Sequence, residues 1–287
     1  MIGTVHQIVE YSANHLEEAN GLINILAGCI SPQPALVTEG PIFIGVDVGT
    51  ANVVSVAVDR DGVPLAGEIT RARVVKEGII VNYFEAVHIV QSHIESLSRR
   101  LGRKPDIGAS AIPPGTEMGN IKVTRNILEA AGLEVKKIVD EPTAASLVLG
   151  FRDGVVVDVG GGTTGISILE NGKVIYTGDE PTGGFQFDLV IAGHYKTSIE
   201  EAEMMKCDPE CQRMLFPIVR PVIEKIATII RRHLAGYQAK GLYFVGGTCS
   251  FPGFIRLIEQ ELGIPTYLPN MPMMVTPLGI ALSCREG

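Results

Sequence analysis

Two segments of the chain, Gly45-Val46-Asp47-Val48-Gly49-Thr50 and Val157-Asp158-Val159-Gly160-Gly161-Gly162-Thr163, repeat one device. In each, an apolar run reaches an acidic residue and then turns through glycine and threonine. This repetition constrains the fold more than any other feature, because two copies of one strand-to-turn unit imply two related lobes. Glycine lets backbone amides approach an anion closely, and threonine adds a hydroxyl donor. The pair is suited to hold a polyphosphate. A carboxylate facing a phosphate directly repels it, so Asp47 and Asp158 require a cation between themselves and the phosphates.

The flanking patterns repeat as well. After the first device come β-rich runs at Val53 to Val58 and Leu65 to Ile69, joined by the turn signal Asp61-Gly62. After the second come Ile166 to Leu169 and Val174 to Tyr176, joined by Asn171-Gly172. Helical spacing marks Phe84 to Leu101, residues 120–131, Pro142 to Leu149, Met214 to His233, Phe254 to Leu262 and Thr276 to Ser283. Pro217 and Pro221 either bend the start of the long late helix or mark its true first turn. Further strands are expected at Ile107 to Ile112, Leu133 to Val139 and Leu242 to Val245, the last running into Gly246-Gly247-Thr248. Ahead of the first device, Val5, Val9, Leu16, Leu22, Ile23 and Leu26 give an amphipathic helix or a broken helix pair, which packs on its own domain or docks a partner. The domains expected are an amino-terminal helical extension over 1–40, a first lobe over 41–152 and a second over 153–287, whose last helix can pack back on the first.

Composition narrows the function. The 24 basic and 32 acidic residues leave a net charge of -8, which argues against a nucleic-acid partner. No stretch reaches the roughly 20 apolar residues that span a bilayer, so no membrane partner is expected. The start of the chain lacks a basic stretch followed by an apolar one. With five cysteines suited to a reducing compartment, a cytoplasmic location is expected. Cys207 and Cys211 can share a helix face but fall short of a zinc set. His194 and His233 have no evident partner arrangement.

At the devices themselves the chain resembles the actin-like ATPase superfamily, which includes Hsp70 chaperones, bacterial rod-shape proteins and sugar kinases. Gly45 to Asn52 is similar to its first phosphate loop, Asp158 to Thr164 to its second, and Gly246-Gly247-Thr248 with Pro252-Gly253 to its nucleoside-contacting loop. The stretch Ala131 to Ala145 is very like the Hsp70 segment preceding the second phosphate loop. The fold so implied is α/β, with duplicated actin-like (ribonuclease H-like) lobes around a nucleotide cleft and a reduced insertion in the second lobe. The whole chain, extension included, also resembles a family associated with ethanolamine catabolism in bacterial microcompartments and described as chaperone-like.

The resemblance implies ATP or ADP with Mg2+ as cofactors. Asp47 and Asp158 are then the metal-side residues, acting through water, and with Glu141, which would orient attacking water, they form the catalytic set. Gly49, Thr50, Ala51, Asn52, Gly160, Gly161, Gly162 and Thr163 would meet phosphate, and Gly246, Gly247 and Thr248 would flank ribose and α-phosphate. It further implies a nucleotide switch whose partner is an ethanolamine-metabolism enzyme or a microcompartment protein. A nucleotide-regulated actin-like scaffold, forming a homodimer or filament, is the alternative, and a small-molecule kinase a third. There are departures from the family pattern. Gly165 stands where the Hsp70 loop has a second aspartate, and Arg73 and Lys76 are weak matches to its catalytic lysine; Asp188, after Gly183-Gly184-Phe185, instead resembles a position in relatives, with a helix cap or solvating group as its other reading. Without the lysine, stabilisation of transition-state charge is weaker, so slow or absent turnover is expected.

Overall fold

The computed structural model describes residues 2–76 and 78–285, with side chains described from His15 onward. In chain order the elements are α1 (Ile2–Ala27), β1 (Phe43–Val48), β2 (Asn52–Val58), β3 (Pro64–Arg71), β4 (Val75–Lys76), β5 (Ile79–Ile80), α2 (Tyr83–Leu101), β6 (Ile107–Ile112), α3 (Met118–Ala130), β7 (Glu134–Asp140) and α4 (Glu141–Leu149). They continue with β8 (Gly154–Val159), β9 (Thr164–Glu170), β10 (Lys173–Glu180), α5 (Gly184–Tyr195), α6 (Ile199–Cys207), α7 (Pro209–His233), β11 (Leu242–Val245), α8 (Phe254–Leu262), β12 (Thr266–Tyr267) and α9 (Val275–Ser283). Two compact units result: Met1–Arg152 with Asn171–Lys173 and Pro269–Gly287, and Asp153–Glu170 with Val174–Leu268.

The expected duplication is present in the sheets. The first unit has strand order β3-β2-β1-β6-β7 and the second β10-β9-β8-β11-β12. In both, a leading antiparallel hairpin sits beside parallel strands reached through helical crossovers. The central strands are apolar on both faces because helices or loops must cover both, as the runs Val155-Val156-Val157 and Leu242 to Val245 anticipate.

In the first unit, α2 buries Val90, Ile94, Leu97 and Leu101 along one stripe. It starts where the Asn82 side chain accepts the Glu85 N–H at 3.3 Å, and it stops at left-handed Gly102. The amino-terminal stretch forms a single helix rather than a broken pair. Ala19, Ile23 and Leu26 are buried in this unit, where α1 touches β3 and α4, so the helix packs on its own unit. The side chains of Val5 and Val9 lie outside the described residues. Arg100 fastens the segment after α1, donating to the Cys29 carbonyl at 2.6 Å and the Gln33 carbonyl at 2.8 Å while pairing with Glu68 at 2.6 Å. The last helix, α9, belongs to this unit and lies against α4 and β1. Contact is close enough that a Cβ on Gly279 would fall 1.9 Å from the Ala144 carbonyl oxygen.

In the second unit, α5, α6 and α7 cover the sheet, with Phe187, Ile191, Ala202, Leu215, Val219, Ile223 and Ile226 in one core. The segment between α5 and α7 supplies only the nine-residue α6, a reduced insertion as expected. Helix α7 begins at Pro209 under an Asp208 cap, so Pro217 and Pro221 are interior residues and do not mark its first turn. Cys207 ends α6 and Cys211 sits in the first turn of α7, because the Asp208 cap interrupts the helix between them. The two thiols therefore do not share one helix, and Cys211 donates to Asp208 Oδ2 at 3.4 Å.

His93, on α2, is buried with Ser55 Oγ 3.0 Å from Nδ1 and Thr70 Oγ1 2.8 Å from Nε2. Burial first, against the opposing pull of Glu68, lowers its pKa from 6.5 to about 4. A folded-state value below the unfolded one means that stability is fully present above about pH 6.5 and is lost as pH falls towards 4. The loss is expected to reach on the order of 3 kcal/mol, measured by urea denaturation at pH 7 and pH 4.5, and a His93→Gln variant should flatten that slope. Gly279→Ala, which must push backbone against backbone, is expected to cost at least about 3 kcal/mol in the same assay.

Candidate functional site

Each phosphate-loop candidate is built by its own hairpin. In the first unit β1 pairs antiparallel with β2, placing Asp47 opposite Val54 and Val48 opposite Val53. The turn is closed by Gly49 N–H donating to the Asn52 carbonyl at 3.0 Å. Thr50 and Ala51 lie between them, half-buried. Glu141 stands at the first position of α4, two strands along the sheet from β1, behind an Asp140 cap that accepts the Thr143 N–H at 2.9 Å. The cap satisfies a helix amide, leaving the Glu141 carboxylate in the first turn, where it also favours the helix dipole.

The second unit repeats this geometry. Asp158 is opposite Gly165 and Val159 opposite Thr164, and Gly160 N–H donates to the Thr163 carbonyl at 3.0 Å. The closing bond, its length and the spacing from the carboxylate are the same as in the first turn. Several parts of the unit converge here. Thr248 Oγ1 donates to the Gly160 carbonyl at 2.8 Å, and Gly184 N–H and Phe185 N–H donate to the Gly160 and Gly161 carbonyls at 3.0 and 2.7 Å. Gly246 has φ +90, and a Cβ there would lie 2.5 Å from Asp158 Oδ1. Of the nucleoside-loop candidates, Gly246 therefore makes room for the carboxylate, Thr248 ties that loop to the phosphate-loop candidate, and Gly247 is exposed at the start of a short 3-10 turn.

Electrostatics single out Asp158. Burial, and then the charge of Asp179 on β10, push its pKa up to about 6. Asp179 is itself raised by desolvation, although a Thr163 hydrogen bond opposes this. Carboxylates, hydroxyls and carbonyls are hard oxygen donors, the set that magnesium prefers. Among the described residues no group of three or more His, Cys, Asp or Glu forms a ready cage.

Asp179 was not among the residues read from the sequence; Gly165 records the room beside it but carries no signal of which residue fills that room. Asp188 proves to be buried and paired with Lys206 at 2.7 Å rather than a solvated cap. Lys206 also donates to the Gly184 carbonyl at 3.1 Å, a position with no local sequence signal. His233, read as partnerless, lies 2.6 Å from Tyr176 Oη and 3.2 Å from Glu180 Oε1.

Two family models match the chain, one described as MreB/Mbl protein over residues 57–205 and one as type IV pilus assembly protein PilM over residues 150–276. The ethanolamine utilization protein EutJ of Escherichia coli (strain K12) is 42% identical over 261 residues, 91% of this chain and 92% of that protein. The crystal structure of EutJ from Carboxydothermus hydrogenoformans is 43% identical, covers 93% of this chain and 98% of its own, and superposes with a TM-score of 0.89. MreB5 of Spiroplasma citri bound to AMPPNP is 16% identical and covers 84% of this chain and 95% of its own, with a TM-score of 0.68. That likeness is one of fold, and the duplicated α/β architecture is thus the actin-like one.

Gly183 is the test of the second turn's construction. A Cβ there would lie 2.6 Å from the Gly160 carbonyl oxygen and 2.9 Å from Thr163 N, so Gly183→Ala must displace the turn. The variant is expected to keep a cooperative melt while amide hydrogen exchange over residues 160–163 speeds up by about tenfold or more.

Proposed function

Because the chain belongs to the family of the ethanolamine utilization protein EutJ, we propose that it is an ATP- and magnesium-binding, chaperone-like nucleotide switch in ethanolamine utilization. The observation that carries the nucleotide part is the identity of the two turns: a strand-end carboxylate, then a turn closed by the same 3.0 Å backbone bond. One such turn occurs in many proteins as a strand terminator. Two with equal spacing, on two sheets of equal strand order, favour phosphate loops over chance strand terminators.

In this reading Asp47 and Asp158 hold the waters of a magnesium ion. The amides of Gly49, Thr50, Ala51 and Asn52, and of Gly160, Gly161, Gly162 and Thr163, serve phosphate oxygens, and Gly246, Gly247 and Thr248 lie by the nucleoside. Magnesium supplies neutralisation of phosphate charge. Glu141 orients a water for attack, and the ATPase is slow because Arg73 and Lys76 offer no strong counterpart of a catalytic lysine. The partner is an ethanolamine-metabolism enzyme or a microcompartment protein, bound according to nucleotide state. The protein works in the cytoplasm, in association with microcompartments.

A second reading, a nucleotide-regulated actin-like scaffold, is favoured by the MreB/Mbl model match. ATP-dependent sedimentation with light scattering supports that reading if polymer forms, and the soluble switch if none does.

Calorimetry with magnesium and ATP tests the central reading. Asp47→Ala is expected to weaken binding by about 100-fold or more with the fold intact by circular dichroism; unchanged affinity would sink the assignment. Glu141→Gln is expected to bind ATP like the parent while phosphate release falls to background. Equal turnover would remove Glu141 from the mechanism.

A further inference from the structure

Gly165 lies opposite Asp158 in the β8–β9 register, and paired residues share a sheet face. Thr163, two residues before Gly165, is on that face too. Thr164 between them points the other way, buried, its hydroxyl donating to the Thr182 carbonyl at 2.6 Å. β10 is the next strand outward, and its Asp179 occupies the space above Gly165. A Cβ on Gly165 would find Asp179 Oδ1 at 3.7 Å as its one neighbour within 4 Å. The Thr163 side chain is hydrogen-bonded to that carboxylate. An ionised carboxylate only accepts, and a hydroxyl has one proton, so Thr163 is the donor and its proton is engaged.

We propose that Asp179 is a positioning residue of the second turn: by taking the Thr163 proton it turns the Thr163 oxygen lone pairs towards the cation, so that Thr163 serves magnesium rather than donating to phosphate. This rests on the nucleotide reading above and adds to it, since that reading used Thr163 at the phosphate and did not use Asp179. The absence of a side chain at Gly165 is what lets a carboxylate on β10 reach across β9 to a residue before its first position. Phosphate then meets the turn through backbone amides alone, which magnesium-free nucleotide can also use. The cation meets a hydroxyl oxygen whose direction is set by the neighbouring strand.

The distinction is measurable as the gain in ATP affinity when magnesium replaces EDTA, read by calorimetry on the full chain. Thr163→Val, a near-isosteric change, is expected to cut that gain by about tenfold. Thr163→Ser should restore it. Asp179→Ala should behave like Thr163→Val, whereas Asp179→Asn, whose amide oxygen still accepts the proton, should keep most of the gain. Equal weakening by Thr163→Val in magnesium and in EDTA would make the hydroxyl a phosphate donor and overturn the proposal. So would an undiminished gain in Asp179→Ala, or an equal loss in Asp179→Asn and Asp179→Ala. A parent protein that binds no ATP in either buffer removes the nucleotide reading and this proposal together; normal parent binding with unaltered variants removes only the proposal.

Discussion

Both units depend on a hairpin turn closed by a single backbone bond, from Gly49 N–H to the Asn52 carbonyl in one and from Gly160 N–H to the Thr163 carbonyl in the other, each 3.0 Å. The bond spans three residues, so it fixes the direction in which the intervening amides point. The antiparallel register then places a carboxylate one residue inside the strand end, Asp47 opposite Val54 and Asp158 opposite Gly165. A register slip by one residue would turn both carboxylates to the opposite face and put Ile44 and Val46, or Val155 and Val157, in the wrong layer. Core packing and site geometry are therefore enforced by the same pairing.

Around this common frame the two units use different polar anchors. The first uses Arg100, which joins Glu68 to carbonyls of the segment after α1 and so holds the amino-terminal stretch on β3. The second uses Lys206, which joins Asp188 to the Gly184 carbonyl and steadies the start of α5 beneath the phosphate-loop candidate. Both pairs are largely shielded from solvent, where removing one partner strands a charge. Each also ties a loop or helix-start carbonyl to its cation, Cys29 and Gln33 to Arg100 and Gly184 to Lys206.

Much of the architecture was legible because it rests on local chemistry. Apolar runs ending in Asp-x-Gly, the Asn171-Gly172 hairpin signal and the helical stripe of Val90, Ile94 and Leu97 each fix an element without reference to distant residues. The start of α7 was misplaced because the Asp208-Pro209 cap lies several residues before the amphipathic pattern becomes strong, and a capped proline was a better start signal than the interior Pro217. Among the described residues, the short strands β4, β5 and β12 were missed because two-residue pairings carry no period to read. Helices α5 and α6 were missed for a different reason: neither has a pronounced apolar stripe, since the covering layer of the second unit is shared with α7.

The sequence by itself determined the repeat, the residues of the two turns and the polarity of each strand end, because backbone turn chemistry and strand periodicity are encoded within a few consecutive residues. Tertiary structure alone decided the rest. It seated α9 backbone-close on α4 at Gly279 and Ala144, paired Lys206 with Asp188, and set Asp179 over the bare backbone of Gly165 beside Thr163. These depend on which surfaces meet after the strands have paired, and a glycine records only that room exists, not what comes to fill it.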